Sequence, residues 1–429
     1  LLLISVDTLR ADRLSCYGYG KGTSPNIDGL AADAHRFTRA YTPMPNTLPS
    51  HTSMMTGLYP GQVGVLMNGH TVPGEAHTLA ERLKERGFKT GACVGAFILN
   101  KKFGLDQGFD TYESPWRGEW KCAQVAKRAG EWLERNRSRR FFYFAHMYDP
   151  HVYYEAPAEF RSRFDVNMRK FPETIEQIEF LRRDFDYTPE QLAEACRAYD
   201  SEIAYADHYI GVLLKKLREL ELFDRTIIVF TSDHGETLDE LYERYHFAFD
   251  HSEFLYRREL NVPLIIRLPA GFAQAGPAVH DQSVTQLDLL PTVLELLGVP
   301  CDRPFEGRSM VSILRGEPWV EAPVISERRS LSRLRANKLL RGGELSVIDG
   351  DWHLIASPGR GDELFNMRDD PTEIRNIKDQ HSDRVRQMKS ILREWAETAR
   401  PLWGISEAPT NKEVIRRLKE LGYLVGEEE

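Results

Sequence analysis

Two carboxylates and an imidazole stand where short apolar runs give way to polar sequence. Asp7 closes Leu1-Leu2-Leu3-Ile4-Ser5-Val6, and Asp233-His234 come just after Thr226-Ile227-Ile228-Val229-Phe230. Carboxylate oxygens and an imidazole nitrogen are donors that a divalent cation takes. Such an ion polarises an ester oxygen and acidifies a coordinated hydroxyl. Taken alone, each segment reads equally well as a strand-end cap. Thr47 lies in Pro43-Met44-Pro45-Asn46-Thr47-Leu48-Pro49-Ser50-His51, a proline-fixed turn that runs into a helix expected after Pro49. A hydroxyl near a helix amino terminus faces N–H groups that favour an anion and, once activated, is a nucleophile. The same pattern also describes a plain helix cap.

These residues need a frame that brings distant segments together. Apolar runs at 1–6, 141–145, 226–230 and 262–266 read as buried parallel strands, the second ending at His146. Apolar residues at three- and four-residue spacing predict helices over 79–86, 125–135, 189–220 and 287–297. Alternation of the two implies a wound α/β sheet with helices on both faces. Ligands bind at the carboxyl edge of such sheets, where Asp7, His146 and Asp233-His234 would meet. After residue 307 the strands shorten. Leu345-Ser346-Val347-Ile348 and Trp352-His353-Leu354-Ile355 flank a turn at Asp349-Gly350-Asp351, and a helix is expected over 382–399. The chain is therefore divided into a catalytic domain, 1–306, and a smaller antiparallel-sheet-plus-helix subdomain, 307–429.

With 429 residues, 41% of them hydrophobic and 28% charged, the chain can bury a large core. A net charge of -8 argues against nucleic acid as a partner, and Arg137, Arg139 and Arg140 read as a solvated cluster. Cys16, Cys93, Cys122, Cys196 and Cys301 are scattered singly and read as ordinary thiols. The opening apolar run is too short for a membrane span. The compartment stays open between the cytoplasm and, were a leader trimmed, the periplasm or exterior; the oligomeric state has no signature.

Ser5-Val6-Asp7-Thr8-Leu9-Arg10, Ser24-Pro25-Asn26-Ile27-Asp28 and Thr47-Leu48-Pro49-Ser50-His51 with Thr56-Gly57 occur in that order. They are followed by Asp149-Pro150-His151, Ser232-Asp233-His234-Gly235-Glu236, Asn261-Val262-Pro263-Leu264 and Leu421-Gly422-Tyr423-Leu424. The series resembles the sulfatase branch of the alkaline phosphatase superfamily along nearly the whole chain. That resemblance implies an alkaline phosphatase-like α/β fold and a metal held by Asp7, Thr47, Asp233 and His234. Zinc or manganese suits a shell that includes His234, calcium or magnesium one that is mostly oxygen. The resemblance also places His151 and His251 against the substrate anion or leaving group, and Asn68 near the anion. His146, His246 and Asp149 are assigned to loop folding. A second metal would need Asp149, His151 and His251 to converge, so one ion is expected.

The chain departs from sulfatases where their chemistry begins. Their nucleophile is a cysteine or serine oxidised to formylglycine, which Thr47 cannot become. His51 replaces the arginine of that motif, Thr8 the second acid beside Asp7, and Gly95-Ala96-Phe97-Ile98 the Gly-Lys-Trp-His that holds sulfate. A threonine with Asp and Asp-His ligands is similar to phosphoethanolamine transferases and nucleotide pyrophosphatases, and the uncharged Thr8 to phosphonate monoester hydrolases. The expectation is a small anionic phosphate or phosphonate ester, cleaved through a covalent Thr47 intermediate. The alternatives are a sulfuric ester hydrolase with an unusual nucleophile, a phospho-head-group transferase, and an inactive binding protein on the same fold.

Overall fold

The computed structural model describes residues 1–172, 186–269, 276–300, 303–328, 343–406 and 412–420. Cys301 and the 421–424 motif lie outside them. The strands are β1 Leu2–Val6, β2 His35–Tyr41, β3 Lys89–Val94, β4 Thr111–Glu113, β5 Phe141–Met147, β6 Ile228–Ser232, β7 Asn261–Arg267, β8 Ala278–His280, β9 Val284–Thr285, β10 Val324–Arg328, β11 Glu344–Asp349, β12 Trp352–Ala356 and β13 Glu363–Asn366. The helices of seven or more residues are α1 Pro25–Ala32, α2 Thr47–Thr56, α3 Leu79–Glu85, α4 Cys122–Asn136, α5 Pro189–Glu219, α6 Leu289–Leu296, α7 Ser382–Thr398 and α8 Lys412–Glu420.

β1 is buried along its whole length because both faces of the sheet are covered. Leu2, Ile4 and Val6 join one apolar cluster with α4 and α5, while Leu1 and Leu3 join the other with α2, α3 and α6. This alternation sends Ser5 and Asp7 to the α2 side. The main sheet runs β4-β3-β5-β1-β6-β7-β2-β8, with β9 also on β2. β1 pairs in parallel with β5 and β6, so Asp7 and the residues after Ser232 leave the sheet side by side.

The fourth expected strand corrects the sequence reading, for β7 is antiparallel to both β6 and β2. Parallel pairing needs a crossover back to the starting edge. Between β6 and β7 only the single turns Tyr242–Tyr245 and Arg257–Leu260 are helical, so the chain stays at the carboxyl edge and β7 starts there. That return delivers His251 to the same edge as His234.

β10 to β13 form a separate antiparallel sheet in chain order. Asp349 pairs with Trp352 across the Gly350-Asp351 turn, as the hairpin reading expects. Ile325, Val347, Leu354 and Leu364 bury one face against Met388 and Leu392 of α7. Val311, Ile313 and Leu314, and later Val414 and Leu418 of α8, pack instead into the core of the main sheet. Among the described residues no helix is long and apolar enough to cross a membrane.

Candidate active site

Asp7 Oδ1 and Oδ2, Asp233 Oδ2, His234 Nε2 and Thr47 Oγ1 are buried and have no hydrogen-bond partner. Orphaned buried polar atoms are costly unless something absent from the protein chain satisfies them. Asp7, Asp233 and His234 each offer one ligand atom, all within 4.8 Å of one another. The remaining atoms of these groups are already committed. Asp233 Oδ1 accepts from the backbone N–H of Thr8, at 3.1 Å, and of His234, at 2.8 Å. His234 Nδ1 lies 2.9 Å from Gly235 O, so Nδ1 carries the proton and Nε2 keeps its lone pair. The donor set fits a divalent cation.

The electrostatics agree. Burial, then the neighbouring Asp233 and Glu119, raises the Asp7 carboxyl well above its usual range. Asp233 is held at about 2 against its burial by His234, His51 and His146 and by the His234 N–H. Two adjoining buried carboxyls thus share one negative charge until a cation allows both to ionise. His234 is pushed down to about 4 by burial and is neutral at physiological pH, as a ligand must be.

α2 begins at Thr47 itself, three residues earlier than expected, with Asn46 extended at the cap. Pro49 is accommodated because the first-turn N–H groups have no intrahelical acceptor. One of those N–H groups, on Leu48, donates to Asn68 Oδ1 at 2.9 Å, so Asn68 sits directly beside the start of α2 at Thr47. Ser50 Oγ lies 2.8 Å from Asp233 O, joining the helix to the strand end that carries Asp233. Gln286 Nε2 donates to the carbonyls of Ser232 and Asp233, and its Oε1 accepts from the same Ser50 hydroxyl at 3.0 Å. Thr8, where sulfatases carry a second acid, is buried with a positive φ of 54°.

The expected histidines arrive as a row. The His234 and His251 ring centroids are 4.4 Å apart, and those of His251 and His151 5.1 Å. His251 Nδ1 lies 3.2 Å from Glu236 Oε1, and that carboxylate accepts the Nδ1 proton. His151 stacks on Tyr148, and its Nδ1 lies 2.6 Å from Val152 O. Both rings thereby turn Nε2 away from their anchors. Burial, then His251, pushes His151 down to about 3. Phe249 and Ser252, either side of His251, have φ of 53° and 71°, and Ser252 is tied down by its Oγ contacts to Pro45 O and Asn46 Nδ2.

Asp149 stays out of the site. Its Oδ2 accepts from Cys122 N at the start of α4, and Oδ1 pairs with Lys121 at 3.0 Å. His246 lies tilted against Tyr242, ring centroids 4.7 Å apart. His146 corrects its assignment to a loop. β5 continues to Met147, and His146 is fully buried with Nε2 3.3 Å from Asp7 Oδ2. The signal was present in the sequence, since Phe142, Phe144 and His146 alternate onto the α2 face. Sequence reasoning also passed over Glu236 and Gln286, and treated His51 only as a missing arginine. His51, His146 and Asp233 form a second close trio. Both His51 nitrogens, however, already have partners in Thr47 O and Ser5 Oγ, so that trio is not a second set of open lone pairs.

Residues 1–299 match the family model named Sulfatase. The chain is 24% identical to the uncharacterized sulfatase YidJ of Escherichia coli (strain K12), over 94% of this chain and 91% of the relative. It is 25% identical to the choline-sulfatase of Rhizobium meliloti (strain 1021), over 82% of this chain and 77% of that protein. The solved phosphonate monoester hydrolase of Agrobacterium radiobacter superposes with a TM-score of 0.76 at 20% identity, covering 92% of this chain and 95% of that one. At that identity the likeness shows a shared fold.

Proposed function

Because the chain belongs to the sulfatase family, and so to the ester hydrolases, we propose that it cleaves phosphate or phosphonate mono- or diesters through attack by Thr47. The observation that carries this reading is the identity and setting of residue 47. A threonine, which formylglycine chemistry cannot use, stands at the first turn of α2 with its hydroxyl buried and unpartnered.

Asp7, Asp233 and His234, with Thr47 Oγ1, are the residues we assign to the metal, zinc or manganese being favoured by the imidazole donor. A divalent cation there supplies Lewis-acid charge stabilisation and acidifies a hydroxyl. Thr47 loses its proton to solvent and its Oγ forms a bond to phosphorus as the bond to the ester oxygen breaks. His251, carrying a proton on each ring nitrogen with Nδ1–H held by Glu236, gives its Nε2 proton to the departing oxygen, and His151 faces the transferred anion. Water then attacks phosphorus as the Thr47 Oγ–P bond breaks, one water proton returning to His251 Nε2 and Thr47 Oγ regaining its proton from solvent. Phospho-threonine releases its group to an in-line nucleophile, whereas a sulfo-threonine lacks the exit that formylglycine provides.

The test is turnover of nitrophenyl phosphate mono- and diesters, nitrophenyl phenylphosphonate and nitrophenyl sulfate with added zinc, manganese or calcium. The expected result is a phosphorus ester preferred over the sulfate by at least about 100-fold in kcat/KM, about 2.7 kcal/mol of differential transition-state binding. Turnover of the sulfate alone overturns the proposal.

A further inference from the structure

His51 occupies the fifth place of Thr47-Leu48-Pro49-Ser50-His51, is fully buried, and makes two contacts that fix its proton. Its Nδ1 is 2.7 Å from Thr47 O. A carbonyl oxygen only accepts, so Nδ1 bears the hydrogen. Its Nε2 is 3.0 Å from Ser5 Oγ, and in the neutral ring that nitrogen accepts the Ser5 hydroxyl. The imidazole therefore bridges β1, two residues before Asp7, to the backbone of the first residue of α2. Phe144 and His146 pack against the ring at 5.6 Å and 4.9 Å between centroids.

We infer that His51 is the positioning residue for the nucleophile, a strut that sets the Thr47 backbone, and hence Oγ1, relative to Asp7. This rests on the reading of Thr47 as nucleophile. The Nδ1–H bond to the Thr47 carbonyl anchors the first turn from within the helix, and the Ser5 bond anchors the ring to the sheet. A displacement of the reacting atom by about 1 Å costs on the order of 100-fold in rate, so loss of this strut should appear in the attack step.

The experiment uses the manganese-loaded full chain in excess over 4-nitrophenyl phenylphosphonate and follows single-turnover release of nitrophenolate. Manganese affinity is measured in parallel by chelator competition, and folding by melting temperature. His51→Leu should slow release at least about 100-fold, with manganese affinity within a few-fold of the parent. His51→Asn, whose amide N–H replaces Nδ1–H, should return to within about tenfold of the parent, while His51→Gln, which cannot donate at that point, should not. Ser5→Ala should slow release several-fold with the melt retained, which keeps the inference open to refutation if His51→Leu fails to fold. Parent-like release from His51→Leu, or equal loss in His51→Asn and His51→Leu when both fold, overturns the inference alone. Release that persists in Thr47→Ala overturns the reading of Thr47 and the inference with it.

Discussion

His234 Nε2 stands 3.4 Å from Asp233 Oδ2, yet the two make no hydrogen bond. Two donors at about 2.1 Å from one tetrahedral ion are roughly 3.4 Å apart, the same separation. The pair is spaced as neighbours around a cation.

Metal retention follows from that spacing. Protein purified without chelator should hold about one equivalent of divalent metal by elemental analysis, and Asp233→Asn or Asp7→Asn should lose it. Free metal at 100 times its dissociation constant stabilises the folded state by about 2.7 kcal/mol, so chelation should lower the melting temperature by a few degrees. Identical melts with and without chelator would contradict the assignment.

Glu236 should matter most for poor leaving groups. With the carboxylate accepting His251 Nδ1–H, Glu236→Gln should lower kcat for an alkyl ester on the order of 100-fold and for a nitrophenyl ester far less. Leaving-group dependence of kcat in the two proteins checks it. Parallel plots would remove His251 as the proton donor.

His151 should remain neutral well below its ordinary value. Its folded-state value is about 3 because of burial, so the unfolded chain binds the proton first as pH falls. The contribution to stability is complete above about pH 6.5 and is lost as pH falls through about 3. Its size is on the order of 4 kcal/mol. Histidine-selective NMR should show no His151 titration between pH 8 and pH 5. A midpoint near 6.5 would show that the ring is solvated.

Gly235 should not tolerate a methyl group. A Cβ there would stand 2.0 Å from Arg258 O, while Gly235 N donates to Glu259 O at 2.8 Å. The backbone is held from both sides, so Gly235→Ala should destabilise by about 2 kcal/mol or more through forced movement beside Asp233 and His234. Urea unfolding measures it, and a parent-like midpoint would mean that this loop can move freely.

The legible parts of the molecule were those with local signals. β1, β5 and β6 announced themselves as apolar runs, and their polar ends placed Asp7 and Asp233-His234 at one edge. The direction of β7 was not legible, because Val262 to Ile266 is equally apolar in either orientation and only the path of residues 233–260 decides it. His146 was lost to a strand boundary set two residues short, although its alternation with Phe142 and Phe144 was readable. The bonds of His51 to Ser5 and of Glu236 to His251 depend on ring orientation in three dimensions, for which spacing carries no code.

The most direct test of the account is to quench the metal-loaded enzyme in acid during turnover of a phosphorus ester and map its peptides by mass spectrometry. The phosphoryl or phosphonyl group is expected on Thr47, with neither adduct nor turnover in Thr47→Ala. An unmodified Thr47 peptide together with an active Thr47→Ala protein would contradict it.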